Sequence, residues 1–209
     1  MGYRLGLTLM QEKDCESPSC HQSQDKYGDH AMHCPDDHGI RIGRHDSICK
    51  KIFQEAQRAI LHPVDEMPSL IPGRQSRPAD IFIPEWLDRR KIAFDVSVVS
   101  PTQEALLHHA ADTPAAAIES RKATKIRTHF DNCRAEGIFF QPLVVETFGG
   151  WDKDAINFLK KIATKGSRRW GLTNAIAIKQ FFQRLSIELQ RGNAALLFER
   201  DSESLNNGV

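Results

Sequence analysis

Apolar positions recur at helical spacing in four stretches of the chain and run nearly unbroken in three others. After Gly43, residues Ile48, Ile52, Phe53, Ala56 and Ile60 share one helical face, with Asp46 or Ser47 as cap and Pro63 as stop. Thr113-Pro114 opens a second helix with the stripe Ile118, Ile126, Phe130 and Cys133, ended by Gly137. Two more helices are predicted over 152–164 and 173–191, and a short helix or insertion over 103–113. The unbroken runs, RPADIFIP, IAFDVSVVS and IFFQPLVVETFG, are rich in Val, Ile and Phe and read as strands. A polar turn at 86–90 joins the first two as an antiparallel hairpin. The third follows a helix, which predicts a parallel, central strand. A further short strand is expected at 64–67.

This order, helix, three strands, helix, strand, predicts an α/β fold with a mixed sheet flanked by helices. The predicted organisation is an N-terminal arm with a metal knuckle (1–43), a core (44–150), a helical extension (151–200) and a disordered tail (201–209).

The two hairpin strands each carry an aspartate, Asp80 and Asp95, among apolar residues. A carboxylate in a buried strand is costly unless it is paired, capped by backbone N–H groups or bound to a metal. Two on neighbouring strands suggest one shared cation, and Mg²⁺ takes such oxygen ligands. Glu66, just before the pair, is a candidate third oxygen. Lys122 lies four residues from both Ile118 and Ile126, which puts a lysine on the helix face expected to meet the sheet. Lys125 is expected to point away and stands as the alternative lysine.

Near the N-terminus the pattern is C-x4-C-x9-H-x3-C: Cys15, Cys20, His30 and Cys34. Two short pairs of Cys and His ligands suit tetrahedral Zn²⁺, in a polar segment that has little core of its own. His21, His33 and His38 are rival ligands. No open coordination position is evident, so the zinc is expected to be structural. Three of the five cysteines fall in this segment, which favours a metal site in a reducing compartment over disulfides.

Charge changes the picture little: 28 Lys and Arg stand against 27 Asp and Glu. Nucleic-acid binding would need a local patch. Lys165, Arg168 and Arg169 beside Trp170 offer one, although such clusters are also common at solvated helix ends. Arg44 and His45, at the expected helix start, and Arg77 are further candidates. No run of 18 apolar residues occurs and no secretory signal is evident, so an intracellular protein, nuclear or cytoplasmic, without a membrane partner is expected.

Taken together, residues 15–148 resemble the restriction-enzyme-like endonuclease domain of non-LTR retrotransposons, within the PD-(D/E)XK nuclease superfamily. The resemblance rests on the ordered series Cys15-Cys20-His30-Cys34, Arg44-His45-Asp46, Arg77-Pro78-Ala79-Asp80, Asp95-Val96 and Arg121-Lys122. It departs at Ala79, which separates Pro78 from Asp80, and at Ser97, where the superfamily carries its lysine. The resemblance implies an αβββαβ core and Mg²⁺-dependent cleavage of DNA. Asp80 and Asp95 would hold the metal, and Lys122 would serve the nucleophile. It further implies a reverse transcriptase domain as neighbour in a longer parent protein. A decayed module that keeps fold and zinc but binds nucleic acid without cutting is the alternative.

Overall fold

In a computed structural model the longest strands are those with the densest β-branched and aromatic runs. The structure describes residues 6–206 apart from 16, 18, 21, 38, 66–69 and 72–78, and only the backbone of 201–206. Glu66 and Arg77 therefore lie outside the described residues. A small ribbon, β1 (Lys13–Asp14) with β2 (Ser23–Gln24), precedes α1 (Ile40–Arg58). Then follow β3 (Val64–Asp65), β4 (Ile81–Ile83), β5 (Lys91–Val99), α2 (Glu104–Asp112), α3 (Ala116–Ala135), β6 (Ile138–Glu146), α4 (Lys153–Lys165) and α5 (Asn174–Asn206).

The main sheet has the order β3-β4-β5-β6. The first three strands are antiparallel, and β6 runs parallel to β5 through the α2–α3 crossover. The fold is thus mixed α/β, with a four-stranded mixed sheet flanked by helices. Side chains alternate along the strands as the pleat requires. Ile81, Ile83, Ile92, Phe94, Val96, Leu143 and Val145 face α1, α4 and α5 and form the main core with Ile48, Ile52, Leu159, Ile162, Phe181 and Leu185. The opposite face meets α3 through two smaller clusters, Ala93, Phe140 and Cys133 at one end and Val99, Val144 and Ile118 at the other.

Four expectations are corrected. First, β6 is an edge strand, not a central one. Pro142 lacks the N–H that a second neighbour would need, and the Gly149-Gly150 turn folds Trp151 back against Val145 to cover part of the edge. Second, α1 starts at Ile40, ahead of Asp46: Gly39 (φ 81°) turns the chain, and the Asp37 carboxylate accepts from its N–H and from Arg41. Third, α3 is rotated relative to the expected stripe. Ile126 and Phe130 are exposed, and Ile118 and Cys133 mark the packed side. Fourth, α5 does not end at 191 but continues through Gly192-Asn193 to Asn206, so 201–206 is helical. Gly192 seats the Arg44 side chain, and Asn193 donates to the Thr147 carbonyl (2.8 Å) and accepts from Arg44 (2.7 Å). Residues that often stop a helix here make its crossing with α1.

Candidate metal and nucleic-acid site

β4 is short, and its abrupt start creates the site. The register pairs Ile81 with Phe94, so one step further places Asp80 opposite Asp95. The Asp80 N–H donates to the Phe94 carbonyl (2.9 Å), and its Oδ2 accepts the Val96 N–H (2.6 Å), which has no strand partner at that level. The two predicted aspartates therefore stand side by side in the chain's register, where β5 runs on past β4. Asp95 is 5% exposed, and its carboxyl is pushed up to about 6, chiefly by burial. The Lys125 ammonium opposes that shift, and the neighbouring Asp80 charge adds to it.

Lys125, not Lys122, reaches Asp95. Its Nζ lies 2.9 Å from both carboxylate oxygens, although only Oδ1 accepts a well-formed hydrogen bond. The helix runs antiparallel to β5, with Ile118 beside Val99 and Cys133 beside Ala93. Seven residues beyond Ile118, at about 1.5 Å each, bring the helix level with mid-strand, where Asp95 stands. Lys122 lies one turn too early. Its Nζ donates to Asp152 (2.9 Å) and Asp154 (2.7 Å) at the start of α4. Asp152 also caps that helix through the Ala155 N–H (2.9 Å), so Lys122 ties two helices together. One turn after Lys125, His129 packs its ring 5.5 Å from Phe140. Burial, then the Lys125 charge, holds it below the usual histidine range.

From the other layer, α1 presents His45. Its Nε2 stands 3.3 Å from Asp80 Oδ2, 3.2 Å from the Val96 carbonyl and 3.6 Å from Cys49 Sγ, while Nδ1 is 2.9 Å from Asp46. The Asp80 hydrogen bond, with help from Cys49, raises the imidazole to about 12 against the cost of burial. His45 thus stands against Asp80 as Lys125 stands against Asp95. His45, Cys49 and Asp80 open on a cleft of about 510 Å³ that also meets Lys50, Phe53 and Asp65. Cys49 and His129 were not foreseen. The readable signal was spacing, since Cys49 follows His45, and His129 follows Lys125, by four residues.

The N-terminal cysteines also converge. Cys15, Cys20, His30 and Cys34 form a group that can hold a metal such as zinc. Cys15 and Cys34 sulfurs are 3.7 Å apart, and Cys20 Sγ is 3.6 Å from His30 Nε2. Bonds of about 2.3 Å to sulfur and about 2.0 Å to nitrogen give tetrahedral edges of about 3.8 and about 3.5 Å, close to these. The ring that joins the group is that of His30; His33 is outside it. Asp25 shapes the turn by accepting from the N–H groups of Tyr27, Asp29 and His30. Burial keeps His30 below its ordinary value, in the neutral form that binds metal, and pushes the Cys15 thiol up to about 11. Buried Arg200, far along α5, donates to Cys34 Sγ at 3.1 Å and so ties the knuckle to that helix.

The basic candidates are spread out. Arg44 is 4% exposed and bonded to Asn193, so its guanidinium is an inter-helix tie and not a surface contact for DNA. Lys165, Arg168 and Arg169 are exposed. They sit by the C-terminal end of α1, where Arg58 stacks on Trp170 (4.9 Å), about 20 Å along that helix from His45. The chain matches no family model and no curated protein. Among the described residues no helix is long and apolar enough to cross a membrane.

Proposed function

We propose that this chain is a metal-dependent DNA endonuclease of the restriction-enzyme-like type. The observation that carries the reading is the Asp80–Asp95 pair across β4 and β5, with Lys125 on Asp95. The element order α1-β3-β4-β5-α2-α3-β6, with α2 and α3 together forming one crossover, agrees with an αβββαβ nuclease core. Ser97 lies on the same face as Asp95, two residues on, and the helix brings Lys125 to that side in place of a strand lysine. The retroelement origin, with a reverse transcriptase domain in a longer parent protein, is part of the same proposal and rests on the ordered motifs.

Asp80 and Asp95 would hold Mg²⁺. The donors fit a hard cation, and Asp95 Oδ2 is buried without a hydrogen bond. When bound, the ion supplies charge that polarises the scissile phosphate and acidifies a water. Lys125 would shift from Asp95 toward a phosphate oxygen and stabilise the charge developing there. His45 holds Asp80 in place through Oδ2. Zinc in the knuckle would brace the fold, and Lys165, Arg168 and Arg169 would meet the DNA backbone at a distance.

Nicking of supercoiled plasmid in Mg²⁺ tests the reading. Wild type should nick, and Asp80→Ala and Asp95→Ala should not while still folded. One observation favours a second reading, a binding module without chemistry: both acids already have basic partners, His45 and Lys125. A folded, zinc-loaded wild type that binds DNA, does not nick it and takes up no Mg²⁺ in calorimetry would establish that second reading.

A further inference from the structure

We propose that His45, Cys49 and Asp80 form a second metal site, distinct from the knuckle and built for a borderline cation such as Zn²⁺ or Co²⁺ rather than Mg²⁺. One ligand atom from each lies within 4.8 Å of the others. The two edges that meet at His45 are close to those of a tetrahedral ion. His45 Nε2 is 3.3 Å from Asp80 Oδ2 and 3.6 Å from Cys49 Sγ. Bonds of about 2.0 Å to oxygen and nitrogen and about 2.3 Å to sulfur require N···O of about 3.3 Å and N···S of about 3.5 Å. The knuckle shows the same N···S distance, 3.6 Å between Cys20 and His30.

The supporting groups fit as well. Asp46 holds Nδ1 at 2.9 Å, the arrangement that orients metal-binding histidines and leaves Nε2 for the ion. His45 and Cys49 lie four residues apart on one helix, and His30 and Cys34 have the same His-x3-Cys spacing. A thiolate and an imidazole select zinc-like ions over magnesium. Three side-chain ligands at the wall of the cleft leave a fourth position for water or a ligand, unlike the closed knuckle. Asp80 stands between this group and Asp95, so an ion held by His45 and Cys49 would compete with the bonds that His45 makes to Asp80. The proposal stands whether or not the chain cuts DNA, because its readout is metal content.

The full chain, stripped and reloaded with Co²⁺, should bind two ions, both with thiolate-to-cobalt absorption. Cys49→Ala and, separately, His45→Gln should each hold one and weaken the second at least 100-fold, with 10 mM Mg²⁺ leaving the wild-type count at two. Because a buried cysteine variant can fail to fold, the wild type supplies a second measurement: Zn²⁺ beyond one equivalent should slow alkylation of Cys49 at least tenfold by mass spectrometry. A wild type that saturates at one Co²⁺, a count of two unchanged in folded Cys49→Ala and His45→Gln, or Cys49 alkylation indifferent to Zn²⁺ would each overturn the proposal.

Discussion

Single side chains divide the labour between chemistry and cohesion at two lysines three residues apart. Lys125 holds a buried carboxylate in the proposed centre, whereas Lys122 ties α3 to α4. Lys125→Ala is therefore expected to cut plasmid nicking by roughly 100-fold or more with little change in fold. Lys122→Ala should keep nicking but lower stability by about 1–3 kcal/mol, because Asp152 loses a charged donor while 3% exposed. Urea unfolding beside the nicking assay checks both, and the reverse pattern would move the catalytic role back to Lys122. Asp95 sets a pH dependence. Its folded value, about 6, lies above the ordinary 3.8, so the folded state holds this proton more tightly. Its contribution to stability is full below about pH 4 and is lost as pH rises through about 6. Asp95→Asn should lack this slope. In magnesium-free buffer, the stability of wild type minus that of the variant should fall between pH 4 and 7; a flat difference would contradict the burial of the carboxyl.

At the level of elements, the crossing of α1 and α5 depends on a glycine within a helix. A Cβ at position 192 would meet Arg44 Cγ at 2.3 Å and Cβ at 2.5 Å, atoms too near the α1 backbone to swing away. Gly192→Ala should destabilise by about 1–3 kcal/mol through overpacking, although alanine favours an isolated helix. The thermal midpoint would measure it, and a stabilised variant would show that the crossing can relax. The late start of β4 is the other decisive element. Beginning that strand only at Ile81 frees the Val96 N–H for Asp80 and lets His45 reach in from α1. The site thus joins a helix from each layer across the sheet's missing corner.

Across the whole molecule, the N-terminal knuckle and the end of α5 behave as one body, through Met32 against Leu196 and Arg200 on Cys34. Removing zinc with a chelator should raise hydrogen exchange over 28–34 and in the last three turns of α5 together, leaving β5 and β6 protected. Arg200→Ala should weaken zinc binding by about 10- to 100-fold; unchanged affinity would mean that the guanidinium does not position Cys34. The sequence by itself determined the element order, the β4–β5 hairpin, the aspartate pair and the three knuckle cysteines, because period-two and helical patterns and close ligand spacing are local properties. Only the tertiary structure decided that His30 and not His33 joins the knuckle and that Lys125 and not Lys122 meets Asp95. It also decided that Arg44 is interior, that β6 is an edge and that Gly192-Asn193 continues a helix. The physical reason is common to all five. Each depends on how far along, and how rotated, one element lies against another, and that is set by the packing of side chains distant in the chain.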